Sequence, residues 1–108
     1  KEIPRYFFLD CKIEKLPDNW ESVEKVGMSA FENCRITKLP DDWGKVTMFE
    51  ACSFANNDIA TIPLRDTPLR FEETTALSVN PGAVDFYRAM KRIHGEAIRG
   101  KDHTLSSR

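Results

Sequence analysis

The residues with which this chain could do covalent or acid–base chemistry are few: Cys11, Cys34, Cys52, His94, His103 and the adjacent carboxylates Asp41-Asp42. A cysteine nucleophile needs an imidazole beside it to take its proton. Both histidines lie in the last segment of the chain, His94 among basic neighbours and His103 in a polar tail. A metal site needs clustered imidazoles, thiols or carboxylates, and two remote histidines supply no such cluster. Two carboxylates that are merely adjacent in a loop do not make an acid–base pair, and there is no glycine-rich phosphate loop. The expectation is therefore a chain that is not an enzyme and carries no metal and no cofactor.

The thiols answer to a different constraint. Cys11 and Cys34 stand 23 residues apart, and further steps of 23 reach Asn57 and then Asn80. The apolar residues around these four positions keep the same step. Ile3, Tyr6 and Phe8 precede Cys11, and Ile13, Leu16-Pro17, Trp20 and Val23 follow it. Val26, Ser29 and Phe31 precede Cys34, followed by Ile36, Leu39-Pro40, Trp43 and Val46. Phe49, Cys52 and Phe54 precede Asn57, followed by Ile59, Ile62-Pro63 and, past a weak position at Asp66, Leu69. Thr75 and Leu77 precede Asn80, and the pattern stops at Pro81-Gly82. A fixed period in this size range marks a repeat architecture.

The register L-x-x-L-x-L-x-x-[NC]-x-I-x-x-L-P-x-x-W-x-x-V-x-x resembles a leucine-rich repeat over residues 1–80. Its length of 23 residues and its Leu-Pro step are similar to the intracellular LPxx type found in Ras-pathway scaffold and suppressor proteins. The resemblance implies an α/β solenoid with a short-stranded parallel concave sheet and an irregular convex side. About three and a half units occupy residues 1–82.

Physical reasoning assigns a place to each position of the unit. A short strand should turn residues such as Tyr6 and Phe8 inward on alternate positions. The Asn or Cys should then point into the coil, where an amide can satisfy backbone groups left open by the turn. Cys is a smaller, softer substitute, so Cys11 and Cys34 are expected inside, with Cys52 at an inward strand position. Proline after Leu16, Leu39 and Ile62 suits an extended return. Trp20 and Trp43 are expected to stack on the convex side.

Terminal coils need covers. After Pro81-Gly82, the apolar positions Ala83, Phe86, Met90, Ile93 and Ala97 fall at helical spacing. They predict a capping helix over residues 83–100, with Arg88, Lys91, Arg92 and Glu96 toward solvent. Asp85 suits the start of the helix, Gly100 is its stop, and residues 101–108 form a flexible tail. At the other end, Lys1-Glu2-Ile3-Pro4 leads directly into Tyr6-Phe7-Phe8-Leu9, as though a repeat were entered partway. The expectation is that further repeats precede this point, or that a partner covers a strand edge bearing three aromatics.

Composition narrows the functional classes. With 41% hydrophobic and 31% charged residues, the chain belongs with globular proteins. It contains no apolar run near the roughly 18 residues a membrane helix needs, so no membrane insertion is expected. Residues 1–82 carry a net charge of −4 and residues 83–108 a net +3. A solvated helix face accounts for the basic tail, which lacks the aromatic–basic interleaving of a nucleic-acid surface. Three cysteines without a C-x-x-C, together with the absence of an Asn-x-Ser/Thr sequon, suit a reducing, intracellular and cytoplasmic setting.

Function is then expected to lie on the concave face. Its residues stand six, four, two and one positions before the Cys/Asn. Those taken as partner-binding are Arg5, Phe7, Leu9, Met28, Ala30, Glu32, Ser53 and Ala55. Phe7, Leu9, Met28 and Ala30 form an apolar patch, and the short side chains beyond it should let a helix or extended peptide approach the sheet. The chain reads as a non-catalytic scaffold module that binds a protein partner. The alternative is a structural subunit, or C-terminal fragment, built permanently into a large multi-protein assembly.

Overall fold

The computed structural model describes residues 1–17, 20–65, 69–71 and 74–94. Four strands of two residues each, β1 (Glu2–Ile3), β2 (Lys25–Val26), β3 (Met48–Phe49) and β4 (Arg70–Phe71), form one parallel sheet in chain order. Pairing matches Glu2 with Lys25 and Lys25 with Met48, each a step of 23, and Met48 with Arg70, a step of 22. Parallel neighbours cannot be joined by a hairpin, so each intervening segment travels out and back as a coil. We number the coils one to four from residues 1, 24, 47 and 70.

The strands are shorter and earlier than the sequence implies. They end at Ile3, Val26 and Phe49, and Tyr6 and Phe8 lie in a ribbon of consecutive turns. Within coil one, the N–H groups of Phe7, Leu9 and Cys11 donate to the carbonyls of Pro4, Tyr6 and Phe8. Coils two and three repeat this, Ala30 to Gly27 and Glu32 to Ser29, then Ser53 to Glu50 and Ala55 to Cys52. The reason is backbone handedness. Tyr6, Asp10, Ser29, Asn33, Cys52, Asn56 and Val79 all have φ between 56° and 61°, which a β-strand does not contain. Asp and Asn tolerate this region best, and they recur one position before the Cys/Asn in coils one to three.

The ribbon gives the stack a direction. Tyr6, Phe8 and Asp10 donate to the carbonyls of Met28, Ala30 and Glu32 at 2.9, 2.8 and 3.0 Å. Ser29, Phe31 and Asn33 donate likewise to Ala51, Ser53 and Ala55, and Phe54 and Asn56 to Ala76 and Ser78. Every one of these bonds runs from an earlier coil's N–H to the next coil's C=O.

Inside the coils, Phe8, Phe31 and Phe54 stack at 5.1 and 5.0 Å. Ile36, Leu39, Val46, Phe49, Ile59 and Leu69 are fully buried around them. Cys34, Asn57 and Asn80 point inward, whereas Cys11 is exposed and Cys52 is half-buried in a turn. Cys11 departs from expectation because coil one has a neighbour on one side only. The tryptophans also depart from it. Both indoles enter the core instead of stacking on each other: Trp20 meets Phe31 and Phe54, and Trp43 meets Phe49 and Phe86.

After a 3-10 turn at Thr74–Leu77 comes the helix α1 (Ala83–His94). Its buried residues are Ala83, Phe86, Tyr87 and Met90. Tyr87 widens the stripe foreseen from the spacing, and Ile93, one turn beyond Met90, is exposed instead of buried. Gly82 makes the helix start possible, since a Cβ there would stand 2.5 Å from the Ala60 carbonyl oxygen. Glu96, Ala97, Gly100 and the tail lie outside the described residues. Among the described residues, no helix is long and apolar enough to cross a membrane.

Candidate functional site

The eight residues expected to form a binding face divide into two groups. Arg5, Phe7 and Leu9 are exposed, and Met28 and Glu32 are half-buried beside them. Ala30, Ser53 and Ala55 are buried and offer a partner no surface. This overturns the idea of an open floor of small side chains. A methyl or hydroxymethyl group barely clears a ribbon whose neighbours stand about 4.8 Å away on either side, so adjacent coils screen it from water. Phe7 holds the same position as Ala30 and Ser53 but has a neighbour on one side only, and it is 61% exposed.

The exposed group forms one corner of the molecule. Tyr6, 54% exposed, turns its hydroxyl to donate to Met28 Sδ at 3.2 Å. Phe7 meets Phe8 edge to face at 4.8 Å. Tyr6 was expected to face inward; its positive φ swings it out instead. Below this corner, a line of polar side chains marks the positions before the Cys/Asn. Asn56 donates its amide to Asn33 Oδ1 at 2.8 Å, and Asn33 donates to Asp10 Oδ1 at 2.7 Å. Asp10 ends the line because an ionised carboxylate only accepts.

A second polar group, absent from the expected set, lies behind the corner. Glu50 is buried, and its carboxylate binds Lys25 Nζ at 3.0 Å, Arg5 Nε at 3.4 Å and the Met28 N–H at 3.0 Å. Burial works to raise its pKa, but the Lys25 and Met28 hydrogen bonds, with the charges of Lys25 and Arg5, outweigh it and hold the carboxyl below its ordinary value. Contact with Glu50 raises the pKa of Lys25 in turn. One signal for Glu50 was available in the repeat itself. It occupies the position of Pro4 and Gly27, so a charge replaces two residues that cannot carry one.

The inner positions are satisfied by their own backbone. Asn57 Oδ1 accepts from the Ile36 N–H at 3.0 Å, and its amide donates to the carbonyls of Phe31, Phe54 and Ala55. Asn80 does the same one coil on, with Ile59, Phe54, Leu77 and Ser78. Cys34 donates its thiol to the Phe8 carbonyl at 3.2 Å, and burial raises its pKa, so the thiol stays protonated. The His94 side chain and His103 lie outside the described residues. Among the described residues, no group of three or more His, Cys, Asp or Glu could hold a metal ion.

No protein-family model matches the chain, and neither a curated protein nor a solved structure matches it.

Proposed function

We propose that this chain is a leucine-rich-repeat module of the 23-residue LPxx type that acts as a non-catalytic, intracellular scaffold. Its partner is a protein, and the contact is the corner formed by Arg5, Phe7, Leu9, Met28 and Glu32. The observation that supports this reading is the exposure of Tyr6, Phe7 and Leu9 within four consecutive residues. Isolated exposed apolar residues are ordinary, whereas a contiguous patch rimmed by charge marks an interaction surface. Here Arg5, Asp10 and Glu32 provide the rim. Aromatic side chains are also the residues that carry most interface energy.

Phe7→Gln combined with Leu9→Gln tests the proposal, because both side chains already stand in solvent. Co-purification from a lysate is compared for this variant and the parent, alongside thermal melting. The expected result is loss of the partner with little change in melting temperature. Retention of the same partner at the same level would refute this corner as the contact. Permanent incorporation into a large assembly predicts instead that the chain is insoluble unless its neighbouring subunits are co-expressed.

A further inference from the structure

The column of inward positions changes its chemistry halfway along the stack. Asn57 and Asn80 fill it in coils three and four, each bonded to four backbone groups. Coils one and two both carry a thiol there, Cys11 and Cys34. Backbone bonds hold the two side by side. On one flank the Asp10 N–H donates to the Glu32 carbonyl at 3.0 Å, and on the other the Arg35 N–H donates to the Ile13 carbonyl at 2.9 Å. Cys11 and Cys34 lie in register between these two bonds. They also share an acceptor, since the Phe8 carbonyl oxygen takes the Cys11 N–H at 3.0 Å and the Cys34 thiol at 3.2 Å. Cys34 Sγ therefore stands against the backbone of Cys11. Burial raises the Cys34 pKa, and the neighbouring Cys11 thiol adds to the rise. The third thiol, Cys52, belongs to a different column, that of Tyr6 and Ser29, and sits in coil three.

We infer that Cys11 and Cys34 form a reversible modification site, at which a small disulfide such as glutathione disulfide oxidises the pair to a bond that staples coil one to coil two. Hydrogen-bonded neighbouring chains run about 4.8 Å apart, inside the range of about 4.4–6.8 Å between Cα atoms that a disulfide spans. The Cβ atoms must close to about 3.8 Å, a movement of about 1 Å. Exchange proceeds in two steps. Cys34 is buried, so the Cys11 thiolate attacks first. It forms a bond to one glutathione sulfur, the glutathione S–S bond breaks, and the other glutathione leaves as thiolate. Cys34 then gives up its proton and attacks Cys11 Sγ, which forms the Cys11–Cys34 bond and expels the second glutathione. The protein loses two electrons and two protons, and both glutathiones take them up as thiols. The second step should quicken as pH rises, because only the thiolate attacks. The pair lies between coils one and two, so its geometry is the same whatever adjoins the other side of coil one. The inference is also independent of the corner formed by Phe7 and Leu9.

The test is incubation of the full chain in buffers of graded glutathione disulfide to glutathione ratio, with and without strong urea. Remaining thiols are then alkylated and the peptides mapped by mass spectrometry. The folded chain should give one product, an intramolecular Cys11–Cys34 bond with Cys52 alkylated. In urea the three thiols should pair in every combination, and the Cys11–Cys34 bond should need a ratio about tenfold or more higher. The oxidised chain should melt about 5–15 °C above the reduced one, because the bond closes residues 11–34 into a loop in the unfolded state. Cys52→Ser should oxidise as the parent does, and added reductant should restore the lower melting temperature. Five results would overturn the inference: thiols that stay reduced throughout the series, glutathione retained on Cys11, a bond to Cys52, a disulfide-linked dimer, or a melting temperature lowered by oxidation.

Discussion

Glu50 Oε2 lies 3.0 Å from Lys25 Nζ, which places a carboxylate of coil three against an ammonium of coil two. The same carboxylate also meets Arg5 of coil one at 3.4 Å, so one buried acid ties three coils together. Gly27 lets the coil-one backbone pack close beside coil two. A Cβ there would stand 2.8 Å from the Arg5 nitrogen and the Ile3 carbonyl oxygen.

That carboxylate should make the fold acid-sensitive. Its folded pKa lies below the ordinary glutamate value, so its stabilisation is complete above the unfolded value and is lost as pH falls through the folded one. Melting temperature recorded from neutral to acid pH should fall more steeply for the parent than for Glu50→Gln, and the two curves should converge at low pH. At neutral pH, Glu50→Ala should cost about 1–3 kcal/mol, because it leaves the Met28 N–H without an acceptor. Parallel acid limbs for parent and Glu50→Gln would remove this role.

Val79 offers a stabilising change. It has φ of 57° and stands 73% exposed at the position held by Asp10, Asn33 and Asn56 in the other coils. A β-branched residue is strained there, at roughly 1–2 kcal/mol. Val79→Asn should relieve the strain and extend the amide line toward Asn56. A gain of about 1 kcal/mol raises the melting temperature of a domain this size by about 4–8 °C, which calorimetry reads directly.

Asn57 bonds four backbone groups, drawn from coils two and three. Asn57→Leu should cost several times the roughly 1–3 kcal/mol of one orphaned buried group and broaden the unfolding transition. Asn57→Cys should cost less, since Cys34 fills the equivalent place with a thiol bonded to a carbonyl. Denaturant titration of the two variants gives the comparison.

Two glycines should respond in opposite senses. Gly27→Ala would drive its methyl into coil-one backbone and cost about 1–3 kcal/mol. Hydrogen exchange should show the Tyr6, Phe8 and Asp10 amides opening before those of coil two. Around Gly44, nothing lies within 4 Å of an added Cβ, so Gly44→Ala should be neutral or stabilising by about 0.4–1 kcal/mol.

The repeat spacing was legible because inward positions tolerate few residue types. Phe8, Phe31 and Phe54 recur every 23 residues, and parallel pairing joins Glu2 to Lys25 and Lys25 to Met48 at that same step. The start of α1 was legible from Pro81-Gly82 and the apolar spacing that follows. The face expected to bind is exposed only in part. Arg5, Phe7 and Leu9 are exposed as expected for such a face, whereas Ala30, Ser53 and Ala55 are enclosed.

What the sequence alone determined is the period and the residues that share a place within it, because burial against a neighbouring coil restricts residue type wherever it recurs. Tertiary structure alone decided which way each place faces. Backbone handedness at Tyr6, Ser29 and Cys52 turns a presumed strand into a ribbon, and no residue type there announces a left-handed φ. Tertiary structure also decided that the ribbon's N–H groups point to the next coil while those of Gly27, Arg35 and Glu50 point back to the preceding one. A hydrogen-bond direction is a property of neighbouring backbones, and side-chain spacing carries no record of it.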